Sequence, residues 1–229
     1  MEIISSRDSN ARDYIAFFDL DHTLAGSVSG KALFQEAYRK GLVTRWDLMK
    51  AVFLSLSFRL KLKDPREIID KMVTWVEGIP ESTMNDLCSD VFNRVIIPSV
   101  YREAIEEIEN HKAKNAKVVI LSSTLIIICR EMAKFLGMDD IICTRLEVRN
   151  GNLTGQPVGH ICYGEEKAIR LKEYCEKYNF SLSAAWYYAD SISDLAALSS
   201  AGNPVCVNPD KKLKKTANKR GWKIVSWNN

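Results

Sequence analysis

Hydrophobic and polar positions divide the chain into stretches of different period. Tyr14 to Phe18 is a short apolar run followed by polar residues, and it predicts a buried strand. From Ser29 to about Ser99 the period is helical, with almost no strand signal. One stripe is Ala32-Leu33-Phe34 with Ala37-Tyr38. A second is Leu48, Val52, Phe53, Leu56 and Leu60, and a third is Ile68, Ile69, Met72 and Trp75-Val76. Gly41, Asp64-Pro65 and Gly78 to Pro80 punctuate them.

From Tyr101 strands and helices alternate. Tyr101 to Lys112 predicts a helix with Ile105 and Ile108 inward, and Lys117 to Leu121 a strand. Ser122-Ser123-Thr124 supplies hydroxyls to cap a helix that stops at Gly137. A single long strand from Val118 to Cys129 is the alternative; Met132, Phe135 and Leu136 favour strand, cap and helix. Ile141 to Cys143 predicts a strand, and Asn150-Gly151 a hairpin within Leu146 to Leu153. Glu165 to Tyr178 predicts a helix, Trp186 to Ala189 a strand, and Ser193 to Ala201 a helix. Pro204 to Val207 and Lys223 to Val225 read as strands around a basic helix, Asp210 to Arg220. Such βα alternation predicts an α/β fold, a parallel sheet with helices on both faces. Ligands on such sheets bind at the carboxyl ends of the strands. The expected organisation is a core built from residues 1–26 and 100–229, with 27–99 inserted as a helical cap.

Composition narrows the class. The chain has 229 residues, enough for one sizeable core with an inserted lobe, and 46% apolar content. A net charge of +3 gives no case for nucleic acid as a partner. No apolar run approaches the length of a membrane span, and the polar, mixed charge of Met1 to Asp13 gives no expectation of a secretory leader. The six cysteines form no Cys-x-x-Cys pair, and the expectation is buried thiols in a reducing cytoplasm. Oligomeric state is not legible in this pattern.

The candidate chemistry lies at strand ends. Asp19 and Asp21 follow the first strand directly, two residues apart and hence on one face of an extended segment. Paired acids there are costly unless a cation or a reaction uses them. Asp190, with Asp194 four residues on, follows another predicted strand; Ser122 ends a third, and Lys167 opens the helix after the hairpin. Carboxylates, a hydroxyl and a lysine suit a phosphate monoester. The carboxylates suit Mg²⁺, a hard cation that takes oxygen ligands. An Asp carboxylate also serves as a nucleophile toward phosphorus.

These residues fall into four ordered motifs: Asp19-Leu20-Asp21-His22-Thr23, then Val118-Val119-Ile120-Leu121-Ser122, then Lys167, then Ala189-Asp190-Ser191-Ile192-Ser193-Asp194. In these the chain resembles the haloacid dehalogenase superfamily of hydrolases. Within it, the chain is similar to the phosphoserine phosphatase-like branch (subfamily IB), with a helical C1-type cap after the first strand of a Rossmann-like sheet. The resemblance spans essentially residues 14 to 226. It implies that Asp19 attacks phosphorus and that Asp21 is the acid and base. It implies Mg²⁺ on Asp19, on the backbone carbonyl of Asp21 and on Asp190, with Asp194 acting through water or orienting the shell. Ser122 and Lys167 would bind phosphate oxygens. The implied activity is hydrolysis of a small phosphorylated metabolite; a phosphotransferase or mutase with the same intermediate, and a non-catalytic phospho-ligand module, are the alternatives.

Three positions depart from the pattern. Ala189 stands where the family has Gly, and Ser193 where phosphoserine phosphatases have Asn. Val28 stands where those enzymes carry a Glu that meets the substrate's ammonium. The last two weaken the case for phosphoserine. His22 reads as a satisfied or solvent-facing residue, and His111 and His160 have no partner pattern. The lysines of the last helix read as a solvated face. Arg59, Lys61, Lys63 and Arg66, beside Phe53, Leu54, Phe58 and Leu60, read as an amphipathic helix end, or as a pocket for a second negative charge or an apolar tail.

Overall fold

The structure is a computed structural model that describes residues 12–59, 71 and 73–228, apart from the side chains of 51 and 55–59. Six strands make a parallel sheet: β1 (Tyr14–Phe18), β2 (Ala116–Leu125), β3 (Asp140–Thr144), β6 (Trp186–Ala189), β7 (Asn203–Val207) and β8 (Lys223–Val225). Their spatial order is β3-β2-β1-β6-β7-β8, so the first strand is central. β4 (Leu146–Arg149) and β5 (Asn152–Pro157) form a separate antiparallel hairpin, with Asn150 and Gly151 both at positive φ in the turn.

Alternation along the strands decides the two cores. Ile15 and Phe17 of β1, with Val119 and Leu121 of β2, face helices α6 (Glu165–Lys177), α7 (Leu195–Ser200) and α8 (Lys211–Arg220). Ala16 and Phe18, with Val118 and Ile120, face α4 (Arg102–Ala113) and α5 (Ile126–Leu136). The described α-helices of 27–99 are α1 (Ser29–Arg39), α2 (Arg45–Arg59) and α3 (Glu81–Val91). Leu33, Ala37, Met84 and Leu87 from them join the second of these cores and do not form a separate one. The hairpin holds this segment: Leu153 N–H donates to Ile79 O and Gly78 N–H to Leu153 O, both at 2.9 Å. All six cysteines are free and buried. Among the described residues, no helix is long and apolar enough to cross a membrane.

Several sequence expectations need correction. The hydroxyls of Ser122 to Thr124 do not cap a helix; they continue β2 to Leu125, with a register break against β3. Ser122 Oγ accepts from Thr124 N–H at 3.3 Å, a local bond that competes with a helix start. The last turn before α7 is a 3-10 turn, Ile192–Asp194. Ile105 faces outward, while Ile108 is buried. Leu48, Val52 and Phe53 of the second stripe are exposed along α2 and do not pack into the core. Of the other residues in the predicted stripes, Leu60, Ile68, Ile69 and Met72 lie outside the described residues, and the side chain of Leu56 lies outside them too. So do Lys61, Lys63 and Arg66 and the side chain of Arg59.

His111 has a structural place under the sheet. Tyr188 hydroxyl donates to Glu107 at 2.6 Å and lies 2.8 Å from His111 Nε2; Tyr14 hydroxyl lies 2.9 Å from Nδ1. Nε2 therefore carries the proton and Nδ1 accepts from Tyr14. Burial pushes the imidazole pKa down to about 4, with Glu107 opposing. The unfolded chain takes up this proton near pH 6.5, the folded chain only near 4, so stability is full above 6.5 and falls as pH drops. Urea unfolding at pH 4.5 against pH 7 is expected to show about 2.5 kcal/mol of loss from this group. His111→Phe should reduce the difference between the two pH values by that amount, and an unchanged difference would remove His111 from the account.

Candidate active site

β1 pairs with β2 on one side and β6 on the other, Phe18 opposite both Ile120 and Tyr188. That register brings Asp19 and Asp190, which follow β1 and β6, and Ser122, two residues past Ile120 within β2, to one end of the sheet, at the switch point between its two halves. Asp19 N–H donates to Tyr188 O at 3.0 Å, which extends the ladder to the first acid. The chain then turns sharply: Leu24 and Ala25 N–H both donate to Leu20 O. His22 is exposed, with φ of 58°, in the left-handed region that such a turn needs. It serves the turn's backbone and reaches none of the acids.

Lys167 in the first turn of α6 is buried, and its Nζ lies 2.7 Å from Asp194 Oδ1 and 3.0 Å from Asp19 Oδ1. The second contact is an ion pair out of line for hydrogen bonding, so Asp19 Oδ1 is buried and accepts no hydrogen bond. Tyr187 hydroxyl donates to Asp194 Oδ1 at 3.0 Å and accepts from Lys167 at 3.3 Å. Burial disfavours the ammonium, but the Asp19 and Asp194 carboxylates outweigh it and hold its pKa well above the ordinary lysine value.

Asp19, Asp190 and Asp194 each offer a carboxylate oxygen, all within 4.8 Å of one another. Burial first, and then the charges of Asp19 and Asp194, raise the Asp190 pKa to about 8. Asp194 is also raised, by burial first, with Lys167 opposing. Three carboxylates face a single ammonium, so the cluster lacks positive charge, and its donors are all oxygen. It fits a hard divalent cation.

Asp21 lies apart from this cluster. Its Oδ1 accepts from Ser29 N–H and its Oδ2 from Ser29 Oγ, both at 2.9 Å. Ser29 Oγ is 2.8 Å from Thr124 Oγ1. Helix α1 starts after Val28, which has no side chain able to cap it, and the Asp21 carboxylate meets the free N–H instead. Burial raises the Asp21 pKa to about 6; the Ser29 N–H bond opposes this, and the Asp19 charge adds to it.

All six predicted site residues thus lie around one strand end, with different links among them. Asp19, Lys167, Asp190 and Asp194 group directly. Ser122 is buried on the neighbouring strand β2, two residues past the Phe18–Ile120 pair, and accepts from Thr124 N–H. Sequence reasoning missed Ser29, Thr124 and Tyr187. An uncapped helix start at Val28 was the one available signal for Ser29.

A cleft of about 1380 Å³ opens from Asp21 between the sheet end and helices α1 and α2. Its lining includes Ser29, Thr124, Leu33, Phe34, Trp75 and Phe53.

The haloacid dehalogenase-like hydrolase family model matches residues 16–199. A probable phosphatase of Mycobacterium tuberculosis is 32% identical over 216 residues, 93% of this chain and 75% of that protein. A histidinol-phosphatase of Neisseria meningitidis is 26% identical, over 93% of this chain and 98% of its own. In fold, a solved structure described as a phospho-aspartyl intermediate analogue of phosphoserine phosphatase superposes with a TM-score of 0.71 at 18% identity, covering 93% of each chain. With the fold, the four motifs and these matches together, the chain belongs to the haloacid dehalogenase-like hydrolase family and is an enzyme of its phosphatase branch.

Proposed function

We propose that the chain is a Mg²⁺-dependent phosphomonoester hydrolase that works through an aspartyl-phosphate on Asp19. One observation carries this reading: Lys167 lies between Asp19 and Asp194, with Asp190 in the same cluster and Asp21 two residues further on. Mg²⁺ would be held by Asp19, Asp190 and the backbone carbonyl of Asp21, with Asp194 orienting its shell. When bound, it offsets the negative charge that gathers where Asp19 meets phosphate.

Asp19 attacks phosphorus through a carboxylate oxygen, and the bond from phosphorus to the substrate's alcohol oxygen breaks. Asp21, carrying a proton, gives it to the departing alkoxide. Water then attacks the same phosphorus, its proton passes to the Asp21 carboxylate, and the bond to Asp19 breaks to release inorganic phosphate. The pKa of about 6 suits both duties near neutral pH, since neither form is rare there. Ser122 and Lys167 bind phosphate oxygens. Ser29 holds the Asp21 carboxyl in place through two bonds, with Thr124 behind it. Residues 27–99 act as the cap, which sets access and substrate choice over a core formed by 1–26 and 100–229.

The relatives' names differ in substrate, so the test is a panel. Inorganic phosphate release is measured from phosphoserine, histidinol phosphate, sugar phosphates and lysophosphatidate, with Mg²⁺ and with chelator. The expected result is turnover that chelator abolishes and added Mg²⁺ restores. Transfer to an added alcohol with no release into water would turn the reading to a phosphotransferase.

A further inference from the structure

For Asp19 to reach its phosphorus, a phosphomonoester must lay its alcohol portion in the cleft that begins at the Asp21 carboxylate. The chemistry of that cleft is therefore the chemistry of the alcohol. At about 1380 Å³ it exceeds the few hundred to ~1000 Å³ usual for a small-molecule site. Among the described lining residues its walls are chiefly apolar. Leu33 and Phe34 come from α1, Val52 and Phe53 from α2, and Trp75 and Ile128 add to the wall. Phe34 meets Trp75 edge to face at 5.5 Å. Three hydroxyls of the lining already have partners: Ser29 donates to Asp21 and meets Thr124, and Thr144 accepts from Cys162 N–H. Gln35, Thr74, Ser123 and Tyr163 complete the uncharged polar lining, against a larger apolar share, so an alkyl chain matches more of the wall than a sugar or amino alcohol does.

Two further observations fit one occupant. Val52 and Phe53 line this cleft and yet are each 62% exposed, which leaves a wall of apolar surface for a ligand to cover. The charged lining side chains balance, Lys31, Lys50 and Lys71 against Asp21, Asp47 and Glu77, so the apolar wall and not a net charge selects the occupant. We propose that the cleft binds the alkyl chain of an amphipathic phosphomonoester, one whose phosphate reaches Asp19 while its chain runs along α1 and α2. As a statement about substrate, this rests on the phosphatase reading above.

Two measurements separate the two. Affinity for non-hydrolysable n-alkylphosphonates, from ethyl through butyl and hexyl to decyl and below their aggregation concentrations, is measured by titration calorimetry in the presence of Mg²⁺. Phosphate release is measured from the matching alkyl phosphates. The expected result is affinity that rises about three- to fourfold per methylene until the cleft is filled, with kcat/KM following it. Phe53→Asp should lower the ratio of decyl to ethyl affinity at least tenfold. Phe135→Asp, on an exposed residue outside the cleft, should leave that ratio alone.

A flat or falling affinity series overturns the inference, whether or not phosphate is released. So does a slope that Phe53→Asp leaves intact, because the chain then binds elsewhere. Affinity that rises with length and depends on Phe53, with no phosphate released from any member, supports the cleft assignment and counts against the hydrolase.

Discussion

Asp19→Asn is expected to lower phosphate release by about ten-thousand-fold or more, with the fold intact. The amide keeps the size of the carboxylate but is no nucleophile toward phosphorus. Stability should hold, because the substitution removes one of three crowded acids and leaves Lys167 its shorter contact with Asp194. Thermal unfolding checks the fold. Acid-quenched protein from steady turnover, digested and weighed by mass spectrometry, checks the chemistry. Wild type should carry phosphate on the peptide containing Asp19, and the variant none. Near-wild-type turnover by the variant would end the covalent mechanism.

The second large effect is expected at Asp21, and its form is diagnostic. With p-nitrophenyl phosphate the leaving group needs no proton, so Asp21→Asn should still form the phospho-enzyme. Water attack then lacks its base, and steady turnover should fall about a hundred- to ten-thousand-fold. Stopped-flow absorbance should show one equivalent of p-nitrophenol released quickly, followed by a near halt. In wild type, under conditions in which hydrolysis of the phospho-enzyme limits the rate, kcat is expected to fall as pH drops through about 6, because protonated Asp21 is no base. A variant with no burst and unchanged steady turnover would assign the proton transfers elsewhere.

How much was legible beforehand depended on how local each signal was. The strand before Asp19, the Asn150-Gly151 turn and the stop at Gly137 are set by residues next to one another, and each stands as expected. The acids and Lys167 were legible because strand ends in a parallel sheet meet at one edge, whatever the intervening helices do. The longer β2 was not. Its extension to Leu125 depends on pairing of Leu125 with Thr144, a contact no local pattern encodes. The Asp21–Ser29 pair was hidden for another reason: a serine opening a helix reads as self-sufficient, and only the missing cap at Val28 shows that it meets an outside acid. The α2 stripe misled most. Apolar spacing predicts burial against protein, and Val52 and Phe53 instead face an open cleft.

The position of β1 has a consequence for how the chain folds. It is made first, yet it lies at the centre of the sheet. Its partners are β2, where Tyr14 meets Ala116, and β6, where Ala16 meets Trp186. During synthesis the first strand therefore waits for about half the chain to gain one neighbour and for most of it to gain the second. Contacts this distant in sequence close slowly. In the interval an apolar strand with unpaired edges is open to pairing with another chain. The nascent protein is thus exposed to aggregation until the stretch carrying Asp190 has emerged, and the same event gives β1 its second neighbour and completes the acid cluster.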